Sequence, residues 1–411
     1  MDSSIIVGID VGTSKISTLV GHLDREEKLR IIGVGIEPSQ GIRKGNVVDL
    51  GAAAQAISRS IDKAERTAGL EIKSAFVSLA GSQISSINSR GVVGVAGRVI
   101  DEEDILRAID AARAVAIPHN REVIHVIQRS YSVDGQEGIR MPVGMHGYRL
   151  EVEAHIITSG SAAVENLRQC LDYSDVEAMQ FVLNPLASGE VVLSETEREM
   201  GAIVCDIGGG TTSIAIYIDG DVWYTTVLPL GGDHITSDIA HGLRIPVPKA
   251  EEIKLQHGQV AFEAKSSSEL FSVRPFGEEQ AIEVPYKDLA MIIEARVEEI
   301  FSLVLQEIKR SGYDGLLPAG MVLTGGSSRL PGIQKSASQV LGLPVRNAQP
   351  EGIYGLSDRV EAPEYSTGIG LLHWAILMNE VGTNYQNGHK SARPLDNNWD
   401  KMREFLSRLL P

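Results

Sequence analysis

The sequence predicts an α/β fold built from two duplicated lobes with a cleft between them. Two glycine-rich turns indicate this, because each follows an aspartate at the end of an apolar strand, Asp10 in one case and Asp206 in the other. Each turn is followed by two more strand-like runs, a glycine and an amphipathic helix. The runs are 5–10, 14–23 and 29–37 in the first copy and 202–206, 212–218 and 222–230 in the second.

Both turns have the composition of an anion site. Glycine lets backbone N–H groups approach an anion closely, and the hydroxyls and the lysine nearby add further donors. The paired aspartates can hold Mg²⁺ through water against the same phosphates. Two such turns predict two facing half-sites with one nucleotide between them.

The bulk composition excludes several classes of protein. The 411 residues carry a net charge of −16, which argues against nucleic acid as the main partner. No apolar run approaches the ~20 residues of a membrane span, and the first residues lack a basic segment, so we expect a cytosolic chain. Cys170 and Cys205 have no metal-ligand companion, and His22, His125 and His155 lack ligand spacing, so we expect structural roles for all five.

An inserted α+β subdomain is predicted between the two copies, over residues 84–162. A helix is expected over 102–115, because acidic residues precede its apolar positions. Strands are expected over 123–126 and 150–157. After the second copy, residues 248–258 and 289–308 are predicted helices, with a short antiparallel sheet over 260–286 between them.

A third glycine-rich turn follows the strand 321–324. The small residues at 325–328 would let a purine ring lie flat against the backbone, with Arg329 available to stack on it or cover it. Taken in order, the three turns resemble the phosphate 1, phosphate 2 and adenosine motifs of the actin/Hsp70/sugar-kinase ATPase superfamily. Within it the chain resembles the FtsA family of bacterial division proteins, over nearly its whole length. The segments that carry this resemblance are 88–93, 111–118, 134–139, 231–236, 250–254 and 293–300.

The resemblance implies an actin-like ATPase fold, with two RNase H-like lobes and an inserted subdomain, 1C, in place of actin's 1B. The implied subdomains are 1A over 1–83 and 163–200 with part of 360–378, 1C over 84–162, 2A over 201–229 and 311–359, and 2B over 230–310.

The resemblance also implies ATP and Mg²⁺ as ligands. Asp10 and Asp206 would face the metal through water. Glu251 and Lys254 would contact the ribose; the alternative for them is a surface ion pair worth ~0.3 kcal/mol. The remaining residues expected to hold the nucleotide are Gly12, Thr13, Ser14, Lys15, Gly208, Gly209, Gly210, Thr211, Thr212, Gly325, Gly326, Ser327 and Arg329.

One residue departs from the pattern of the superfamily. Asn184 precedes Pro185 where the wider superfamily and many FtsA-like chains carry Glu-Pro. A glutamate there can orient or polarise the attacking water, whereas an asparagine cannot act as a base. We therefore predict nucleotide binding with slow or negligible hydrolysis.

The end of the chain has a composition of its own. Residues 379–395 are predicted to be a flexible linker, and 396–411 an amphipathic helix that lies in a membrane interface. The alternative is a helix that docks on its own globular core. The apolar face consists of Trp399, Met402, Phe405, Leu406, Leu409 and Leu410, and the basic residues at its edges are Lys401, Arg403 and Arg408.

The resemblance implies a role in bacterial cell division, at the septum, on the cytoplasmic side of the membrane. The expected partners are other copies of the chain in head-to-tail filaments, the C-terminal peptide of FtsZ on subdomain 2B, and later division proteins on 1C. Two alternatives remain open: an actin-like scaffold of the PilM type, and a small-molecule kinase of the same superfamily.

Overall fold

The computed structural model describes residues 5–24, 28–115, 117–260 and 270–386. The first lobe begins with the predicted strand–turn–strand–strand unit and its helix. Asp49 caps this helix by accepting from the backbone N–H of Ala52, and Gly69 ends it in the left-handed conformation. The elements in this part are β1 (Ile5–Val11), β2 (Lys15–Leu23), β3 (Leu29–Pro38), β4 (Ile42–Arg43), β5 (Asn46–Val47), α1 (Leu50–Ala68) and β6 (Ser74–Leu79).

The inserted subdomain consists of an antiparallel sheet with one helix packed on it. Asp101 and Asp104 form a capping box at the start of that helix, which explains the acidic residues there. The elements are β7 (Ser85–Val99), α2 (Glu102–Arg113), β8 (Arg121–Val133), β9 (Gln136–Ile139) and β10 (His146–Gly160), with the strands in the order β7-β10-β8-β9. The predicted α+β insertion is confirmed.

The rest of the chain completes the first lobe and forms the second. Its elements are α3 (Ser161–Asp172), β11 (Glu177–Leu183), α4 (Asn184–Val192), α5 (Glu195–Met200), β12 (Ala202–Ile207), β13 (Thr212–Ile218), β14 (Asp221–Leu228), α6 (Gly232–Leu243), α7 (Val247–His257), β15 (Leu270–Val273), β16 (Ile282–Pro285), α8 (Tyr286–Ser311), β17 (Gly320–Thr324), α9 (Ile333–Leu341), β18 (Val345–Asn347), β19 (Tyr354–Gly355) and α10 (Ser366–Gln386).

The two lobes repeat one topology. In the described residues the first sheet has the order β11-β6-β1-β2-β3-β19 and the second the order β14-β13-β12-β17-β18. In each, a central strand pairs antiparallel with the next strand along the chain and parallel with a later one. The predicted duplication is therefore confirmed, and the equivalent strands β1 and β12 each lead into a glycine-rich turn.

A layer of two helices lies between the two sheets. Helix α10 packs against β1 and β2, α4 packs against β12 and β13, and the two helices pack on each other. A Cβ built on Gly370 would lie 1.9 Å from the carbonyl oxygen of Ala187, so glycine permits this close crossing. The largest fully buried side chain of the described chain, Trp374, lies in this layer.

The structure differs from the sequence prediction at two places. Strand β7 was not predicted, because its side chains are mostly exposed and show no apolar alternation. Helix α10 continues to Gln386, so the linker predicted from residue 379 starts no earlier than 387. The reason is that each residue added to an existing helix gains a backbone hydrogen bond, so even polar residues can extend it. Residues 387–411, including the predicted amphipathic helix, lie outside the described residues.

The helices of the described residues include none that is long and apolar enough to cross a bilayer.

Candidate functional site

The two predicted aspartates lie at equivalent positions, at the ends of β1 and β12. Asp10 Oδ1 accepts a hydrogen bond from Ser78 Oγ at 2.8 Å, and Asp206 Oδ2 accepts one from Thr367 Oγ1 at 2.8 Å. Both carboxylates are buried. Each aspartate is thus oriented by a hydroxyl from a distant part of the sequence.

Burial shifts the pKa of each charged group at the centre of the cleft. It raises the pKa of Asp206 to about 6, with a further rise from the Asp10 carboxylate, while the Thr367 hydrogen bond opposes the rise. Burial also raises the pKa of Asp10, against the lowering effect of the Ser78 hydrogen bond. It lowers the pKa of Lys15 to about 8, although the nearby carboxylates oppose this. A cation bound here would stabilise the two desolvated carboxylates.

The first two turns approach each other so closely that side chains on the second would clash with the first. A Cβ on Gly209 would lie 1.9 Å from Ser14 Oγ, and a Cβ on Gly210 would lie 2.6 Å from Thr13 Oγ1. Real Cβ atoms do not approach other atoms so closely, so a side chain at either position would have to displace the facing hydroxyl side chain. The second turn therefore has residues without side chains, Gly209 and Gly210, where it meets the first turn.

The turns enclose a cavity of about 130 Å³. The predicted residues that line it are Asp10, Gly12, Thr13, Ser14, Lys15, Asp206, Gly208, Gly209, Thr211, Gly325 and Gly326. The predicted residues that do not line it are Gly210, Thr212, Glu251, Lys254, Ser327 and Arg329. Thr212 is fully buried, and its hydroxyl donates to the carbonyl oxygen of Leu230 at 2.9 Å, so that side chain fixes the strand connection.

The third turn is joined to the second. Gly325 has a positive φ of 83°, and a Cβ on it would lie 2.3 Å from Asp206 Oδ1. Ser327 Oγ donates to the carbonyl oxygen of Gly208 at 3.1 Å. The small residues of the third turn thus allow it to lie against the carboxylate of the second copy.

Glu251 and Lys254 lie on one face of α7, as predicted, and form an ion pair at 2.7 Å. Lys254 Nζ also donates to Thr236 Oγ1 at 2.8 Å and to the carbonyl oxygen of Gly232 at 3.2 Å. Its side chain is only 13% exposed. The pair therefore connects α7 to the start of α6 beside the third turn, and is more than a solvated surface pair.

A short 3₁₀ turn, Pro363–Tyr365, closes the cleft on the side of α10. The carbonyl oxygen of Pro363 accepts from the backbone N–H of Gly325 at 3.2 Å. Lys15 Nζ lies 3.6 Å from the centroid of the Tyr365 ring, an arrangement typical of a cation–π contact. Glu364, which precedes Tyr365 in this turn, also lines the cavity.

Asn184 is the first residue of α4 and also lines the cavity. Its Oδ1 is buried, and none of the described residues donates a hydrogen bond to it. A buried amide oxygen without a donor is costly, by about 1–3 kcal/mol, unless a ligand or water supplies one. Asn184, the residue that departs from the superfamily pattern, thus lies inside the site.

Comparison with known proteins identifies the family. A family model described as Cell division protein FtsA matches residues 203–370, and one described as SHS2 domain inserted in FTSA matches residues 81–158. The chain is 41% identical over 399 residues to the Cell division protein FtsA of Pseudomonas aeruginosa, covering 95% of this chain and 96% of that one. The chain belongs to the FtsA family.

A second FtsA relative, from Neisseria meningitidis serogroup B, is 42% identical over 386 residues, covering 94% of this chain and 93% of its own. Solved structures of other actin-like proteins share the fold at low identity. The PilM-PilN type IV pilus biogenesis complex aligns with a TM-score of 0.64 and 16% identity over 90% of this chain and 97% of that one. MreB 5 of Spiroplasma citri bound to AMPPNP aligns with a TM-score of 0.56 and 15% identity, over 95% and 100%. These likenesses confirm the predicted actin-like fold.

Several residues of the site were not predicted from the sequence of this FtsA-family chain, among them Ser78, Thr367, Glu364 and Tyr365. Ser78 and Thr367 reach their aspartates from 68 and 161 residues away in the sequence. No local pattern marks such hydroxyls. Glu364 and Tyr365 precede the apolar run of α10, and that position was the available signal.

The residues of the site fit a nucleotide with a divalent cation, on three observations. Two desolvated carboxylates face one cleft, glycines keep side chains out of the space where the turns meet, and buried acceptor atoms lack donors. Asp10 and Asp206 would hold the metal through water, and Lys15 with the two glycine turns would hold the phosphates. The cation would neutralise phosphate charge.

Proposed function

We propose that this chain is an ATP-binding, actin-like cell division protein that polymerises on the inner face of the cytoplasmic membrane and tethers the FtsZ ring there. The observation that carries the proposal is the meeting of the Asp10 and Asp206 turns around one cavity, closed by the turn at Gly325. Membership of the FtsA family supports the role in division, since the curated relatives carry that name.

Two observations support ATP and filaments as parts of this function. The MreB 5 structure that shares the fold was solved with AMPPNP bound, and AMPPNP is an ATP analogue. A third structural neighbour is described as the MamK double helical filament and aligns with a TM-score of 0.51 and 13% identity, over 90% of this chain and 98% of that one. We extend nucleotide binding and head-to-tail assembly to this chain on that basis.

We propose that hydrolysis of the bound nucleotide is slow. Asn184 lines the cavity at the start of α4, and its amide cannot take a proton from water. The test is phosphate release by the purified chain and by the Asn184→Glu variant. We expect negligible release by the wild type and a measurable increase in the variant. Rapid turnover by the wild type would contradict this assignment.

We propose that residues 396–411 lie in the membrane interface and anchor the chain weakly, with filament formation multiplying the binding by avidity. Trp399 and Phe405 belong to the apolar face of this segment, whereas Asp400 lies at the polar pole. Anionic liposomes should co-sediment the wild type and Asp400→Asn but not the Trp399→Asp/Phe405→Asp variant. Equal co-sedimentation of all three would show that the apolar face does not anchor the chain.

The whole function is tested by electron microscopy on lipid monolayers. With ATP and Mg²⁺, the full-length chain should form ordered filaments that are lost without nucleotide and after deletion of 396–411. Filaments on lipid that form without nucleotide and without that segment would overturn the proposal. Binding of later division proteins to subdomain 1C, residues 84–162, is proposed on the family resemblance.

We propose that the C-terminal peptide of FtsZ binds subdomain 2B around Arg296 and the segment 265–287. Arg296 lies on α8 and pairs with both carboxylate oxygens of Asp238 on α6, at 2.5 and 2.9 Å. Replacing it should loosen the two helices that form this surface. We expect Arg296→Ala to weaken binding of a fluorescent FtsZ peptide, while Arg310→Ala, on the same helix and 78% exposed, leaves it unchanged. Equal affinities for both variants would place the peptide elsewhere.

A further inference from the structure

Glu364 has one carboxylate oxygen with a partner and one without. Its Oε1 accepts from Arg329 Nη1 at 2.8 Å. Its Oε2 is buried, and no described group donates to it. A buried carboxylate oxygen without a donor is unfavourable in a folded protein, and a ligand is one means of satisfying it. Glu364 lines the nucleotide cavity, so a ligand in that cavity is the candidate for the missing donor.

The position of Glu364 indicates which part of a nucleotide would supply the donor. The residue lies against the third turn, since a Cβ on Gly326 would lie 3.5 Å from the Cβ of Glu364. This turn is the one whose small residues are expected to accommodate a flat ring, and Gly325 and Gly326 of it line the cavity. Glu251 and Lys254, expected near the ribose, lie beside Gly232 at the start of α6. Phosphate oxygens are excluded as partners because they carry no proton to donate at neutral pH.

We propose that Glu364 selects the base: its Oε2 accepts a hydrogen bond from the exocyclic amino group of a 6-aminopurine, and it disfavours a 6-oxopurine. This inference rests on the proposed nucleotide-binding function. A carboxylate only accepts hydrogen bonds, so it pairs with the amino group of adenine and opposes the carbonyl oxygen of hypoxanthine. Arg329 is then a positioning residue, because it holds Oε1 and thereby directs Oε2 to the base.

The asymmetry of the two oxygens predicts what an amide would do at this position. In a Glu364→Gln variant the amide oxygen satisfies Arg329, which only donates, and the NH₂ group takes the place of Oε2. The group that faces the base thus changes from an acceptor to a donor. The variant should therefore favour a 6-oxopurine, although it differs from the wild type by one functional group.

The experiment measures the affinities of the full-length chain for ATP and ITP, which differ at C6 and, as a consequence, at N1, an acceptor in adenine and a donor in hypoxanthine. We expect the wild type to prefer ATP by about tenfold, the value of one hydrogen bond of about 1.4 kcal/mol, and Glu364→Gln to lose or reverse that preference. The ratio of the two affinities is the readout, because removing a negative charge from the cavity raises the affinities for both triphosphates together. Glu361→Gln, an exposed glutamate three residues earlier, is the matched control and should keep the wild-type ratio.

Two further variants keep the inference falsifiable. Glu364→Asp keeps the charge but shortens the side chain, and should reduce the preference for ATP without favouring ITP. Adding Arg329→Ala to Glu364→Gln should abolish the preference for ITP, because nothing then orients the amide. A wild type that binds ATP and ITP equally, or a Glu364→Gln ratio equal to that of Glu361→Gln, overturns the role of Glu364 alone. A wild type that binds neither nucleotide overturns the proposed function as well.

Discussion

His155 Nε2 lies 3.0 Å from Thr225 Oγ1, and this hydrogen bond joins the inserted subdomain to β14 of the second lobe. The other ring nitrogen, Nδ1, lies 2.7 Å from Asn88 Oδ1. Ser86 Oγ donates to the backbone carbonyl of Thr225 at 2.8 Å. The insertion is covalently part of the first lobe, so these contacts attach it to both lobes.

We expect His155→Ala to destabilise the chain by about 1–3 kcal/mol, because it leaves the buried hydroxyl of Thr225 and the amide of Asn88 without their ring partner. Chemical denaturation monitored by circular dichroism measures the free energy of unfolding. His146→Ala is the control, since His146 begins the same strand and is exposed. Equal losses in the two variants would show that the contact across the lobes contributes nothing.

The same histidine predicts a pH dependence of stability. Burial lowers the pKa of His155 to about 3, with smaller contributions from Arg129 and His125, from a usual value of 6.5. Between these values the unfolded chain binds a proton that the folded chain does not, so stability is complete above pH 6.5 and falls as the pH decreases towards 3. Below pH 6.5, the unfolding free energy of the wild type should fall more steeply than that of His155→Asn, by about 1.4 kcal/mol per pH unit. Parallel pH curves would contradict this.

Lys15 predicts a pH limit on nucleotide binding. Because burial lowers its pKa to about 8, the side chain loses its charge as the pH rises above that value. We expect the affinity for a fluorescent ATP analogue to fall in this range by about ten- to a hundredfold, the value of a hydrogen bond to a charged group. Lys15→Arg keeps its charge throughout and should bind with little pH dependence. If both proteins lose affinity in parallel, another group is responsible.

Gly209 predicts a stability effect that a second substitution should relieve. Gly209→Ala places a Cβ 1.9 Å from Ser14 Oγ and should destabilise the chain by about 1–3 kcal/mol. Adding Ser14→Ala removes that oxygen and should restore part of the loss, as a double-mutant cycle of thermal unfolding would measure. Gly315→Ala is the control, because no atom lies within 4 Å of its Cβ position. Additive losses would mean that the two turns do not touch.

The repeated lobes were predictable because local sequence encodes them. Continuous apolar strands, an aspartate at each strand end and the turn at Asp219 and Gly220 are short-range signals, and the structure gives both of these turn residues a positive φ. Strand β7 lacked such a signal, since it is an edge strand with few buried side chains.

The part of the site that could be predicted is the set of glycine-rich turns. Glycines and their aspartates are visible in the sequence, whereas Ser78, Thr367 and Glu364 reach the cleft through tertiary packing. Their residue types are common on any surface, and only the fold shows that they are buried against the carboxylates and the third turn.

Helix α10 has its first turn in the cleft and its last turn next to the tail sequence. Thr367, near its start, donates to Asp206, and the helix continues for 21 residues to Gln386. At about 1.5 Å per residue, this is a rod about 30 Å long. It is held near its start by the close crossing at Gly370 and Ala187. If the helix tilts about that crossing, a small shift at Asp206 becomes a larger displacement at Gln386, from which the predicted linker leads to the predicted membrane segment.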